Sequence, residues 1–476
     1  MMRVSALLSR LRSSAVAWSF AWTALRTSAA LVLLPLLVRV LSPAELGIWY
    51  ALQSIAAASY LVDFGFTTTF SRFASYLSEG AETLRPEGLA GAGLRGTPNW
   101  AGLATLRATA ARLYVGIVAG AVLLFLAIAF VVVVPEAAKL ERPLPAYCAT
   151  GILIAASAMT IVASRYTALL SGIGGLVQAM RIGSLSQVVQ IVVSVVVLAA
   201  GWGLPGVSCA LLLSAALTAL WTRTELSRRV PRGCRGRYSS TYLRAMLPNT
   251  ARLGGVFVGS YLITQANTLV TLRSFGGAAT GSYGLSLQAV NFAAAICFIF
   301  VNTKTPLFAQ LHQRGALPLL RSTFITGVRR SLVAYALVAV MAIVLGPWVL
   351  RRIGARTGLL PVAQLSVLFL VRFLEAHHTS HGTLVVTGNR VPFVVPALLS
   401  GGAILILSAI TAPRYGMWAV VLVPGLVQAA WNNWWTVLLG LRGLSMSLGG
   451  YLRALLEGDI AAEGGNAGTA QNGTTG

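Results

Sequence analysis

The chain has 476 residues, 56% of them apolar and only 10% charged, yet it carries a formal net charge of +24. An ordinary soluble domain is excluded, because its charged share runs at about a quarter. A nucleic-acid binder is not described either: the basic residues fall as short clusters between apolar stretches, where they report membrane topology first.

Bilayer hydrocarbon is roughly 30 Å thick, and a helix crosses it in about 20 residues. Twelve stretches meet that length, at 16–38, 46–70, 113–134, 146–170, 180–200, 204–222, 249–272, 282–304, 327–350, 361–385, 391–411 and 416–440. Leu113 to Val134 shows the type, uncharged throughout and stopped by Pro135 and Glu136. The first run, Ala15 to Leu41, follows Arg3, Arg10 and Arg12 but is too long for the apolar part of a cleaved signal. With the N-terminus inside, inside segments hold twenty basic residues and outside loops eight. That bias fits an even number of spans with both termini in the cytoplasm of a bacterial inner membrane. The outside cluster Arg351, Arg352 and Arg356 runs against it, and a periplasmic anion is the one contact the sequence offers.

These elements predict an all-α polytopic membrane protein, with about 12 transmembrane helices in two six-helix lobes around a central cavity. The lobes are expected at 1–222 and 249–440, joined by a basic cytoplasmic linker at 223–248. A largely disordered cytoplasmic tail is expected at 441–476, since Glu457 onward is rich in Gly, Ala, Thr, Asn and Gln. An internal repeat supports two like-oriented halves. Arg39, Gly47 and Trp49 recur as Arg273, Gly281 and Tyr283, at the ends of the first and seventh spans. Each copy reads as a tight turn in which Arg stays with water, Gly allows close packing and the aromatic anchors at the interface.

Charge inside hydrocarbon costs roughly 2.5–3.5 kcal/mol on insertion scales, so each such residue needs a partner or water. The candidates are Arg26, Asp63, Arg165, Arg252, Arg372 and Glu375, with Arg72 just beyond the second span. Arg372 and Glu375 share one helix face at i, i+3, either as a packing pair or as an ion-coupled switch. Arg26 and Asp63 lie at similar depth and can pair across helices. Arg165, Arg252 and Arg72 then leave a cationic vestibule open to the cytoplasm, suited to a diphosphate, unless they snorkel to headgroups. Asn249, Gln265, Asn267, Gln288 and Asn291 either glue helices or line a wet cavity facing a hydroxyl-rich cargo. His377, His378 and His381 read as a polar patch, because no acid or Cys with ligand spacing accompanies them. Cys148, Cys209, Cys234 and Cys297 likewise lack ligand spacing and read as small core residues. Gly172 to Gly175 lacks the Gly-Lys-Ser/Thr of a phosphate-binding loop. Outside carboxylates are limited to Glu45, Glu136 and Glu141 in short loops, which disfavours an enzyme of sugar transfer.

The first span ends in Leu37-Val38-Arg39-Val40-Leu41-Ser42-Pro43-Ala44-Glu45-Leu46-Gly47, and the second carries Asp63-Phe64-Gly65-Phe66 and then Phe70-Ser71-Arg72-Phe73. Gly281-Ser282-Tyr283, Gln288 and Pro306 follow in the second half. In this order and spacing the chain resembles the polysaccharide, or O-antigen (Wzx-type), flippases of the multidrug/oligosaccharidyl-lipid/polysaccharide exporter superfamily. The resemblance implies two lobes that rock to move a polyprenyl-diphosphate-linked oligosaccharide to the outer leaflet, without a cofactor. Asp63 and Arg72 match the family's second-span element; Arg26, Arg165 and Arg252 fit its cationic cavity by depth and charge. Implied partners are the lipid-linked oligosaccharide and the membrane, with polysaccharide polymerase and chain-length proteins beside them and no nucleic acid. The long 71–112 segment and the polar tail depart from a compact member. The alternatives are a drug or metabolite exporter of the same fold, a polysaccharide polymerase or ligase, and a membrane scaffold.

Overall fold

The computed structural model describes residues 15–84, 97–231, 233–234, 236–388 and 392–457, and every regular element among them is a helix. Among the described residues six helical segments are, by length and composition, able to cross a membrane: Trp100–Ala137, Pro143–Ala199, Gly203–Arg229, Thr250–Gln313, Leu317–Arg352 and Val394–Tyr415. Two of these are 57 and 64 residues long and are not continuous helices, being kinked at Gly174 and Gly276, where φ is positive.

In chain order the helices are α1 (Ala15–Val40), α2 (Pro43–Val62), α3 (Phe66–Ser78), α4 (Trp100–Ile128), α5 (Pro143–Leu170), α6 (Leu176–Ala199) and α7 (Gly203–Arg229). There follow α8 (Ser240–Thr264), α9 (Ala266–Cys297), α10 (Thr305–Gln313), α11 (Leu317–Arg352), α12 (Val362–Thr387), α13 (Val394–Tyr415), α14 (Met417–Ala430), α15 (Asn432–Gly443) and α16 (Leu448–Glu457). A π-type stretch, Ala129–Val133, carries α4 on to Ala137. Each of the twelve expected stretches contains helix, but several boundaries differ. The 46–70 stretch breaks at Asp63–Gly65, where Phe64 and Gly65 have φ of 47° and 76°. The 416–440 stretch breaks at Trp431. α4 begins at Trp100, with Asn99 as its cap, and α8 begins at Ser240. Both helices thus extend well past the apolar stretch, because Ala, Leu and Arg sustain a helix where hydropathy has already fallen. The stretch read as a loose tail is helical to Gly443 and again over α16; 458–476 lies outside the described residues.

Two compact units form. The first comprises 1–284, 350–358 and 397–405; the second comprises 285–349, 359–396 and 406–476. In the first, α5 packs along α7, and α6 packs against both α1 and α7. In the second, α12 packs on α15, over a core of Phe308, Leu311, Leu320, Phe324, Leu384, Val437, Leu441 and Tyr451.

The two copies of the repeat lie face to face in the first unit. A β-carbon on Gly47 would collide with the Gly277 carbonyl, and one on Gly281 would lie 2.6 Å from the Pro43 carbonyl oxygen. Only hydrogen fits at these positions, so backbone meets backbone. Ser42 and Glu45 close a reciprocal cap at the start of α2 (Ser42 N to Glu45 Oε2, 2.8 Å), which fixes the angle at which it leaves the turn. Arg39 and Arg273 are exposed as expected, but Trp49 and Tyr283 are 5% and 3% exposed. The aromatics are therefore packing residues rather than interface anchors, since the close approach of the backbones buries whatever follows each glycine.

Two further readings change. Arg356 donates its backbone N–H to Val38 O (2.8 Å) and its guanidinium to Val40 O (3.3 Å), so it caps the last carbonyls of α1. Among the cysteines only Cys297 is buried; Cys148, Cys209 and Cys234 are exposed, and all four are free thiols.

Gly47→Ala is expected to cost about 1–3 kcal/mol, the range for overfilling a packed contact. Thermal unfolding in detergent should show a lowered midpoint; an unchanged midpoint would contradict the Gly47–Gly277 contact.

Candidate functional site

The break between α2 and α3 sets the centre of the site. Asp63 is the last residue before the left-handed Phe64–Gly65 pair, and it is 9% exposed. One carboxylate oxygen accepts the backbone N–H of Thr67 (3.0 Å), which caps α3 from inside the unit. The other accepts the Tyr114 hydroxyl of α4 at 2.5 Å. Tyr114 is 1% exposed and also meets the side chains of Thr67 (3.4 Å) and Ser164 of α5. On the opposite side, Gly65 packs on Leu253 and Phe64 on Gly254, next to Arg252 of α8.

The break thus contacts α4 through Tyr114 and α8 through Leu253 and Gly254, while Arg165 lies on α5, one residue past Ser164. Arg165 donates to Ala111 O (3.5 Å) and to the Tyr166 hydroxyl, and its guanidinium lies 4.4 Å from the Tyr166 ring centre. Arg252 is exposed. Arg72 sits on α3, nine residues past Asp63 and beyond the break. Its Nε and Nη2 are buried without an acceptor among the described residues, and the guanidinium stands 5.4 Å from the Phe73 ring. Buried donors of this kind cost about 1–3 kcal/mol unless something accepts from them. The side chains of Arg26 and Asn249 lie outside the described residues; their backbones are helical, in α1 and α8.

The polar residues expected to face a cargo are divided. Gln265 accepts from the Ser54 hydroxyl (3.3 Å), while the Tyr261 hydroxyl donates to Ser54 O (3.2 Å), so this turn of α8 is fastened to α2. Asn267 is only 2% exposed and faces protein rather than water. Gln288 and Asn291 are half-buried on α9, in the second unit.

In the second unit, Arg372 and Glu375 form the expected i, i+3 ion pair on α12 (Nη1 to Oε2, 2.7 Å). One turn on, the three histidines expected as a polar patch form a packed cluster, with His377 and His378 half-buried and His381 buried. His377 meets the Tyr451 hydroxyl (2.8 Å), and His378 meets Asn433 Oδ1 (2.7 Å). His381, fully buried, lies edge-on to Phe324 at 5.0 Å and Tyr451 at 5.2 Å. Three histidines thus bind α12 to α11, α15 and α16, and no group of three metal-ligating side chains occurs among the described residues. A cavity of about 800 Å³ opens beside His312, Leu384, Gly388, Leu439 and Arg442.

Of the carboxylates expected in outside loops, Glu45 is committed to the α2 cap and Glu136 to Lys139. Sequence reasoning missed Tyr114, which opens an apolar span and so looks like an interface aromatic. It also missed Arg107 and Arg223, which join Arg165 around a cavity of about 290 Å³.

No family model matches the chain, and no curated protein matches it. Solved structures do. One is an inward-facing MATE family multidrug resistance transporter of the MOP superfamily, with a TM-score of 0.62 at 13% identity over 90% of this chain and 96% of that one. Another is the lipid II flippase MurJ in an inward closed conformation, with a TM-score of 0.57 at 13% identity over 93% and 90%. A third is the MATE multidrug transporter DinF-BH in complex with a ligand, at 0.53 and 16% over 93% and 97%. The chain has the fold of these transporters over nearly its whole length.

Tyr114→Phe removes one of Asp63's two donors while keeping the ring. A loss of about 1–3 kcal/mol of stability is expected, read as a lowered unfolding midpoint. No change would show that Tyr114 does not hold Asp63.

Proposed function

We propose that the chain is a non-enzymatic transporter that flips a polyprenyl-diphosphate-linked oligosaccharide from the cytoplasmic to the periplasmic leaflet by alternating access. The observation that carries this reading is the uncompensated positive charge of the first unit. Arg72 has two buried donors without an acceptor among the described residues, and Arg165 meets a hydroxyl, a carbonyl and the Tyr166 ring, all of them neutral. Asp63 accepts from neutral donors, Tyr114 and the Thr67 amide. An anion with several oxygens, such as a diphosphate, meets guanidinium groups with charge-assisted hydrogen bonds.

In this reading Arg26, Arg72, Arg165 and Arg252 attract the diphosphate, and Asn249, Gln265, Gln288 and Asn291 present amides to the glycan. Asp63 and the Arg372–Glu375 pair are the groups that change partner during the cycle, as the lobes rearrange. A drug exporter of the same fold is the second reading, favoured by the likeness to the MATE multidrug transporter structures. A cavity that carries arginine in excess repels an organic cation, which places the flippase first.

Deletion of the gene is expected to abolish the surface polysaccharide and to hold its diphosphate-linked precursor on the cytoplasmic leaflet. Arg252→Ala is expected to reproduce that phenotype at normal protein level, and Arg72→Gln to reduce export at least tenfold, the cost of losing one charge-assisted contact of about 1.5–3 kcal/mol. Unchanged polysaccharide together with raised drug sensitivity would establish the exporter instead.

A further inference from the structure

The 290 Å³ cavity lies where the first turns of α4, the last turns of α5 and α7, and the segment after α7 converge. Arg107, Arg165 and Arg223 line it, with the Tyr166 and Ser227 hydroxyls and the Cys234 thiol. α4 and α5 contain no acidic residue, and the single acid of α7, Glu225, is taken by Arg229 (3.1 Å) and Arg228 (3.8 Å). Three guanidinium groups from three helices therefore share one concavity that, among the described residues, no carboxylate lines. An anion entering this concavity would meet charge of one sign from three helices. Arg165 is already held in place by Tyr166 and Ala111, so less is lost in ordering it when an anion arrives.

The wall opposite the helices is the segment that leads to α8. A β-carbon on Gly236 would collide with the backbone of Ala104. Two residues on, the Tyr238 ring lies 5.2 Å from the Arg112 guanidinium, and Ser239 N–H then donates to Thr109 Oγ1 (3.0 Å). The segment is thus strapped to α4, with Cys234 and Gly236 closing the cavity.

We infer that this cavity is a binding site for a phosphate group, built on Arg107 and Arg223 together with Arg165, and that its occupant ties the strap to α4, α5 and α7. The shared chemistry is a phosphodiester or free diphosphate, delivered either by the headgroup of an anionic membrane lipid or by a soluble anion. The inference does not rest on the flippase reading, since any phosphate-bearing molecule reaching this basic end of the helices would serve.

Cys234 supplies the measurement. In full-length protein carrying Cys148→Ser and Cys209→Ser, maleimide labelling of Cys234 is timed in phosphatidylcholine vesicles, in vesicles with added phosphatidylglycerol, and in phosphatidylcholine with inorganic pyrophosphate. At a ligand level about ten times its Kd, the free fraction of the site falls about tenfold, and labelling should slow in proportion. Arg107→Ala/Arg223→Ala, at two exposed positions, should abolish that slowing while leaving the unfolding midpoint unchanged. Slowing by phosphatidylglycerol alone identifies a lipid headgroup, and slowing by pyrophosphate alone a soluble anion; either supports the site. Equal labelling in all three conditions, or slowing that survives the double substitution, overturns it.

Discussion

Hydrocarbon offers no hydrogen-bond partner, so a chain this apolar must satisfy its backbone N–H and C=O groups within itself. The rest of the structure follows from that constraint. Long helices solve it directly, and each place where a helix stops needs its own solution. At the α2–α3 break the solution is Asp63, whose carboxylate takes the Thr67 amide and the Tyr114 hydroxyl. At the end of α1 it is Arg356, reaching two carbonyls from a segment more than 300 residues later in the chain. At α15 it is Arg321, whose guanidinium meets the carbonyls of Leu444 and Ser445. Charged residues in a membrane chain are thus first a means of ending helices. Those left over after that duty carry the functional argument.

Much of the architecture was legible because it depends on composition. Runs of Leu, Val, Ile and Ala mark helices, and the Arg–Gly–aromatic repeat marks the two turns that meet at Gly47 and Gly277. The breaks at Asp63–Gly65 and Trp431 were not legible, since hydropathy over a 20-residue window averages a three-residue interruption away. Tyr114 was hidden for a related reason: a tyrosine at the start of an apolar stretch has the pattern of an interfacial anchor, and only tertiary structure shows it inside. Trp49 and Tyr283 failed in the same direction. The Arg107, Arg165 and Arg223 cavity joins positions 58 residues apart at each step, and no local pattern announces it.

Fold alone does not choose a cargo. Multidrug transporters and a lipid II flippase are both similar to this chain at comparable TM-scores and low identity. The choice rests on electrostatics. A guanidinium whose donors have no acceptor represents stored cost, and a ligand that relieves it binds more tightly for that reason. In the proposed function an anionic diphosphate would do so at Arg72, whereas a cationic drug would add a like charge. Asp63, held by Tyr114 and Thr67, is the acid at the break from which the helix bearing Arg72 starts. A change of partner at Asp63 would couple cargo binding to the helix break itself.

The most direct test of this account reconstitutes the purified protein in vesicles. It follows two cargoes across the bilayer: a polyprenyl-diphosphate oligosaccharide and an organic cation dye. The account requires the diphosphate-linked glycan to change leaflet at a rate that depends on the protein, while the dye stays where it began. Protein-dependent movement of the dye, with the glycan stationary, would contradict it.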